Sequence, residues 1–131
     1  MAGVSRPRVL FIDDSLSVRK VAERFLVALG ADVTLAADGR EGLDRLRMEG
    51  PFHLVFTDLE MPRLHGYELI REIRADPSLR GVPVVVVTSR SGKKHREQAT
   101  TVGASDYLTK PFAQDVLGAM IRKWAGRGTN A

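Results

Sequence analysis

Cysteine is absent from the chain, which excludes disulfides, thiolate metal centres and a cysteine nucleophile together. Long apolar runs are absent as well. None approaches the roughly 18 residues that a membrane-spanning helix needs, and the opening Met1-Ala2-Gly3-Val4-Ser5-Arg6-Pro7 lacks the apolar centre of a secretion signal. The expectation is a soluble, cytoplasmic protein without membrane insertion. Aromatic residues are few, at 6%, and no basic stretch interleaves them as a nucleic-acid surface does. Nor is there a block of charge of one sign. The formal charge of +4 is spread over Arg6 and Arg8, Arg71 and Arg74, Arg90 to Arg96, and Arg122 to Arg127, with acids between them. That pattern reads as solvated helix faces, and no nucleic-acid partner is expected.

What is present suits one compact domain. A chain of 131 residues has room for a single core, and the folded unit is expected over 8–125, with flexible ends at 1–7 and 126–131. Arg8-Val9-Leu10-Phe11-Ile12 is a nearly continuous apolar run, the mark of a strand buried on both faces. Val18, Val21, Ala22, Phe25, Leu26 and Leu29 follow at helical offsets, with Asp14 or Ser15 placed to cap the start and Gly30 to end the helix. Asp32 to Ala36 reads as a short strand, Gly39 to Met48 as a helix, His53 to Thr57 as a third strand, and the stretch from Gly66 to near Asp76-Pro77 as a third helix. Pro83-Val84-Val85-Val86-Val87 is the strongest strand signal, because consecutive β-branched residues favour a pleated run. Lys93 to Val102 offers a helix little apolar face beyond Ala99 and Val102, so it is expected to sit loosely. A last strand, Asp106 to Thr109, precedes a helix marked by Val116, Leu117, Met120, Ile121 and Trp124.

Five strands alternating with five helices predict a doubly wound α/β fold, a five-stranded parallel sheet covered on both faces. Ligands of such sheets bind beyond the carboxyl ends of the strands. Asp13 and Asp14 follow the first strand, Asp58 the third, Thr88 the fourth and Lys110 the fifth, so all five are expected at one edge. Carboxylates gathered there repel one another by about 4 kcal/mol per pair at 4 Å with an effective dielectric near 20. The cluster therefore calls for a cation, and an all-oxygen donor set suits Mg²⁺. With the Lys110 ammonium and the Thr88 hydroxyl placed to bind phosphoryl oxygens, one carboxylate is left as nucleophile. Asp58, in Thr57-Asp58-Leu59-Glu60-Met61-Pro62-Arg63-Leu64-His65-Gly66, is the candidate acceptor. His53, His65 and His95 lack close metal-ligand spacing and read as structural or solvent-facing.

The set Asp13-Asp14, Asp58, Thr88, Tyr107 and Lys110-Pro111 resembles the receiver domain of two-component response regulators, the CheY-like family, over nearly the whole chain. The resemblance implies a flavodoxin-like sheet of order 2-1-3-4-5. It implies that Asp58 takes a phosphoryl group from the phosphohistidine of a sensor histidine kinase in a Mg²⁺-dependent reaction, with Mn²⁺ as a substitute. Asp14, Asp58 and the Glu60 backbone carbonyl would ligate the metal, and Asp13 would act mainly through metal-bound water. Lys110 would pair with Asp58, Thr88 would move toward the phosphoryl group, and Tyr107 would turn inward behind it. The Lys110-Pro111 bond would be cis, and the face made by the fourth helix, fifth strand and fifth helix would change. The resemblance extends to receiver modules attached to CheA-type hybrid kinases of chemotaxis and motility systems.

Other functions fit the sequence less well. A haloacid-dehalogenase-like phosphatase requires an Asp-x-Asp pattern that Asp13-Asp14-Ser15 lacks. A flavodoxin-like cofactor carrier would need a phosphate-cradling loop where two aspartates stand. A receiver acting only as an interaction scaffold would not need the full active set. The expectation is thus a phosphorelay protein that catalyses its own phosphorylation and slow dephosphorylation without being a turnover enzyme, a monomer or weak dimer. Glu60 and Arg90, each two residues beyond a site residue, are expected to face each other and slow hydrolysis of the phosphorylated state. The basic run from Arg90 to Arg96 reads as a solvated face, or else as a docking patch for an acidic partner. The short segment after Pro111 leaves room only for a helix, so output is expected through a downstream target protein.

Overall fold

The computed structural model describes residues 6–126. Of the segments expected to be flexible, 1–5 and 127–131 lie outside the described residues, and Arg127 with them. The elements are β1 Arg8–Ile12, α1 Leu16–Ala28, β2 Asp32–Ala36, α2 Gly39–Glu49, β3 Leu54–Thr57, α3 Gly66–Ala75, β4 Val84–Thr88, α4 Lys93–Val102, β5 Asp106–Thr109 and α5 Gln114–Met120. All strand pairings are parallel and the sheet order is β2-β1-β3-β4-β5, as the resemblance implied.

The two-residue period of a strand divides the core between the faces. Val9 and Phe11 of β1, Leu54 and Phe56 of β3, and Val85 and Val87 of β4 join Ala22 and Leu26 of α1 and Leu117 of α5. Leu10 and Ile12, Val55, and Val84 and Val86 join Leu43 and Leu46 of α2, Leu69, Ile70 and Ile73 of α3, and Ala99 of α4. Each fully buried side chain of this size contributes about 1.5–3 kcal/mol. Strands apolar on both faces are what a sheet sandwiched between helix layers requires.

The helix ends are set by local chemistry. Ser15, not Asp14, caps α1, its Oγ accepting from Val18 N. Asp38 caps α2, and His65 caps α3 through Nδ1 while Glu68 reaches back to the His65 amide. His65 therefore has a structural task, as does His53, whose Nδ1 accepts from Arg8 N at 2.9 Å. By contrast α4 begins at Gly92 with no side-chain cap and no acid in its first turn. Lys93, Lys94 and Arg96 stand there instead, each costing about 0.3–1 kcal/mol against the helix dipole. Ala99 is its one buried residue, in keeping with the weak apolar pattern.

The structure departs from the sequence reading in three places. β4 is Val84–Thr88 and not Pro83–Val87: proline has no amide to give the ladder, and Thr88 pairs with Thr109. Arg74 is no solvated charge. It is half-buried, with Nε donating to Gly103 O and one terminal nitrogen to Arg80 O and Val82 O, and burial lowers its pKa. Finally, α5 runs on as a π-helical turn, Ile121–Ala125. There Trp124 Nε1 and Lys123 Nζ both donate to Asp106 Oδ2, at 3.0 and 3.1 Å. Burial alone would push the Asp106 carboxyl up, but these donors and the Tyr107 amide together hold it below its ordinary pKa.

Candidate functional site

The register of the sheet brings the site together. Ile12 pairs with Thr57, so the next residues, Asp13 and Asp58, emerge side by side at the carboxyl edge. The ladder continues one residue beyond the strands: Asp13 N donates to Ala36 O, Asp58 N to Ile12 O and Lys110 N to Thr88 O, at 3.0, 3.0 and 2.8 Å. These bonds fix the backbone of three site residues. The edge lies where β1 has neighbours on both sides, the switch point of a doubly wound sheet.

Loop geometry then aims the side chains. Arg19 of α1 donates to Asp13 O at 2.7 Å, and Asp13 Oδ1 accepts from Ser15 N. After β3, Thr57 Oγ1 donates to Asp58 O and Gly66 N to Leu59 O, closing the loop tightly. A Cβ on Gly66 would stand 2.4 Å from Asp58 O, so only glycine permits this approach. Arg63, within that loop, adopts φ 70° in a turn closed by Leu64 N on Pro62 O.

Asp13, Asp14 and Asp58 present carboxylate oxygens within 4.8 Å of one another, and they are the one such acidic or histidine group among the described residues. Asp13 and Asp58 are buried while Asp14 is exposed. Asp58 Oδ1 accepts from Leu59 N at 2.7 Å and Oδ2 from Lys110 Nζ at 2.9 Å. Lys110 Nζ also stands 2.6 Å from Asp13 Oδ2, but off hydrogen-bonding geometry, so that oxygen is buried without a hydrogen bond. One ammonium thus faces three carboxylates. Burial works against the charge on Lys110, yet the two aspartates outweigh it and hold its pKa above the ordinary value. Burial raises the pKa of Asp13, and Lys110 and the Ser15 amide offset only part of that. Three carboxylates against one ammonium leave surplus negative charge, and that all-oxygen group fits a divalent cation.

Thr88 is buried at the end of β4, its Oγ1 accepting from Arg90 N at 3.3 Å. Tyr107 is already inside, 8% exposed, with its hydroxyl donating to Arg90 O at 2.7 Å. Burial raises its pKa, which keeps the phenol a donor. Arg90 meets Glu60 in an exposed ion pair, so the two flanking residues do face each other. Arg96 was not singled out within the basic run. Its guanidinium lies 4.9 Å from the centre of the Tyr107 ring and ties α4 to the site. The Lys110-Pro111 bond is cis. The three histidines stay out of the acidic group.

Fold and site together define an acidic centre, able to hold a cation, at the switch point of a flavodoxin-like sheet. Residues 9–122 match the family model of the response regulator receiver domain, and the chain belongs to that family. It is 32% identical over 123 residues to a chemotaxis protein CheY homolog of Campylobacter jejuni, covering 93% of this chain and 95% of that protein. The receiver domain of the sensor histidine kinase PA1611 from Pseudomonas aeruginosa, solved with magnesium in its active site cleft, superposes with a TM-score of 0.85 at 32% identity, covering 92% of this chain and 98% of that one. A probable transcriptional regulator, ycf27 of Porphyridium aerugineum, is 39% identical over 119 residues, 91% of this chain. The chain spans only 48% of that relative's length. The protein is a receiver domain, homologous to CheY and to the receiver domains of histidine kinases. Among the described residues no helix is long and apolar enough to cross a membrane.

The raised pKa of Asp13 predicts a stability signature. A carboxyl whose folded pKa exceeds its unfolded value costs stability wherever it is ionised, and the cost fades as pH falls through the folded value. Asp13→Asn, which can still accept from the Ser15 amide, should unfold at higher urea than the parent at neutral pH in EDTA. The gap should close on acidification toward about pH 4. Coincident urea midpoints at neutral pH would contradict the assignment.

Proposed function

We propose that Asp58 is the phosphoryl acceptor. The observation that carries this is the position of its carboxylate: at the end of β3, held by Leu59 N and Lys110 Nζ, inside the group of three carboxylates. An Asp58 oxygen attacks phosphorus, the phosphorus–nitrogen bond to a kinase histidine breaks, and the imidazole leaves with the bonding pair. Asp14, Asp58 and the Glu60 carbonyl, with Asp13 mainly through water, would hold Mg²⁺, or Mn²⁺ in its place, which when bound would neutralise charge on the transferring group.

The remaining tasks fall to this chain's own groups. Lys110, already 2.9 Å from Asp58 Oδ2, turns its ammonium to a phosphoryl oxygen as the carboxylate becomes an acyl phosphate and loses its charge. Thr88 accepts from Arg90 N through Oγ1 and keeps its own O–H to donate to another phosphoryl oxygen. Movement of Thr88 pulls on the Arg90 amide, and Arg90 O is what the Tyr107 hydroxyl holds. The loop between β4 and α4 is thereby the element that phosphate biases. The product is one aspartyl phosphate per chain, lost slowly to water without turnover of a substrate. A sensor histidine kinase, of CheA type on the sequence likeness, supplies the phosphoryl group, and a downstream protein reads the changed face. The domain that does this is 8–125.

Incubation with a small phosphodonor should label the protein only when Mg²⁺ is present, and Asp58→Asn should abolish the label. Labelling that survives this substitution would sink the assignment.

Glu60 and Arg90 lie beside the path of hydrolytic water and partly cover the phosphoryl group. An exposed ion pair of 0–1 kcal/mol corresponds to at most about fivefold in rate. Glu60→Ala and Arg90→Ala should therefore lose label faster than the parent, within that range. Decay at the parental rate in both variants would remove the gating role.

A further inference from the structure

We propose that Asp38 and Arg63 are positioning residues for the cation, an inference that rests on the cation reading above. Their ion pair straps the loop that carries Glu60 to the start of α2, so that this side of the acidic centre is set before an ion arrives. The loop between β3 and α3 supplies two of the groups that would hold the ion, the Asp58 carboxylate and the Glu60 carbonyl. Its ends are fixed by Thr57 Oγ1 donating to Asp58 O and by Gly66 N donating to Leu59 O. Between them the backbone makes a turn that most residues avoid. Leu64 N donates to Pro62 O at 2.8 Å, and Arg63 at the centre has φ 70°. A three-residue turn with a positive central φ is rare and strained, and a side chain there is crowded where glycine is not. Such a turn persists only where its surroundings over-determine it.

Two contacts to the start of α2 do this. Leu64 is buried, and its carbonyl oxygen comes so close to Gly39 that a Cβ on Gly39 would overlap it. Arg63 Nε lies 3.5 Å from Asp38 Oδ2, with the arginine side chain 61% exposed and the aspartate 13%. Asp38 is the fixed partner, because its Oδ1 accepts from Glu41 N at 2.8 Å as the cap of α2. The carboxylate therefore sets where the turn sits. Ala36, two residues before Asp38, accepts from Asp13 N through its carbonyl, so the strap is continuous with the backbone of the acidic centre. On its other side the loop is tied by the Glu60–Arg90 pair to the segment after β4. It is thus held between two ion pairs, one toward β2 and one toward β4.

Charge and position predict opposite signs at Arg63. It is a cation near a centre that takes a cation, so by charge alone its removal should tighten ion binding or leave it unchanged. By position, its removal releases a strained turn, the loop has to be ordered as the ion binds, and affinity falls.

The measurement is a Mg²⁺ titration of the whole chain followed by amide NMR, with free Mn²⁺ counted by EPR as a second readout. Arg63→Ala should weaken binding of both ions about threefold to tenfold. Asp38→Ser, which still caps the helix but has no second oxygen for Arg63, should weaken it by a similar factor. The double variant should bind no more weakly than Asp38→Ser alone, because one strap can be lost only once. Arg63→Gly separates the strap from the stability of the fold: it should unfold at higher urea than Arg63→Ala, yet bind Mg²⁺ no more tightly. Tighter or unchanged binding by Arg63→Ala, additive losses in the double variant, or recovery of parental affinity in Arg63→Gly would each overturn the proposal. If the parent takes up no Mg²⁺ at Asp13, Asp14 and Asp58, the cation reading falls and the strap with it. If the parent binds and the Arg63 variants bind equally well, the strap falls alone and the cation reading stands.

Discussion

One ammonium among three carboxylates is the constraint around which the molecule is arranged. Lys110 lies 2.6 Å from Asp13 and 2.9 Å from Asp58, and without it two buried carboxylates would meet with nothing between them. Even with it the centre carries surplus negative charge, three carboxylates against one ammonium. The centre is tolerated because its backbone is over-determined. Three ladder bonds beyond the strand ends, the Gly66 approach and the Arg19 clamp all hold it. A site kept under electrostatic strain by a stable sheet is ready to bind a cation and accept an electrophile.

The same economy explains how the edge communicates. Thr88 ends β4 and Lys110 directly follows β5, which pairs with it; the loop carrying Arg90 runs from β4 to α4 and is held by side chains from both directions. Glu60 holds the Arg90 guanidinium, while Tyr107 holds its carbonyl. Arg96 continues the chain of contacts onto α4, a helix with one buried residue, no side-chain cap and an unfavourable first turn. Weak tertiary and capping contacts make α4 the helix least costly to displace.

How much of this was legible in the sequence follows from which signals are local. The Val84–Val87 run and the continuous apolar run of β1 announce strands buried on both faces, and α4 and β5 have the predicted bounds because Gly92, Gly103 and the polar run between them are local punctuation. The acidic positions, Thr88 and Lys110 could be placed at one edge because each follows a strand. Burial within the acidic pair was not legible: Asp13 is enclosed and Asp14 exposed because adjacent residues leave a strand end on opposite sides. Arg74 looked like surface charge because the carbonyls it serves lie in the loop before β4 and, 29 residues on, at Gly103, and no local pattern marks them. The π-helical turn has no sequence period of its own, and it coincides with the grip of Lys123 and Trp124 on Asp106, across 17 and 18 residues. The inward Tyr107 depends likewise on a carbonyl 17 residues away.

The central claim is that the bond to phosphorus forms at Asp58, and its most direct test converts that bond into a permanent mark. An acyl phosphate is reduced by borohydride to an alcohol, so a phosphorylated aspartate becomes homoserine and is located by peptide mass spectrometry. Protein treated with phosphoramidate and Mg²⁺ and then reduced is predicted to carry homoserine at position 58, with Asp13 and Asp14 intact. Homoserine at position 13 or 14, or phosphate on Thr88 or Ser89 with position 58 unmodified, would contradict it.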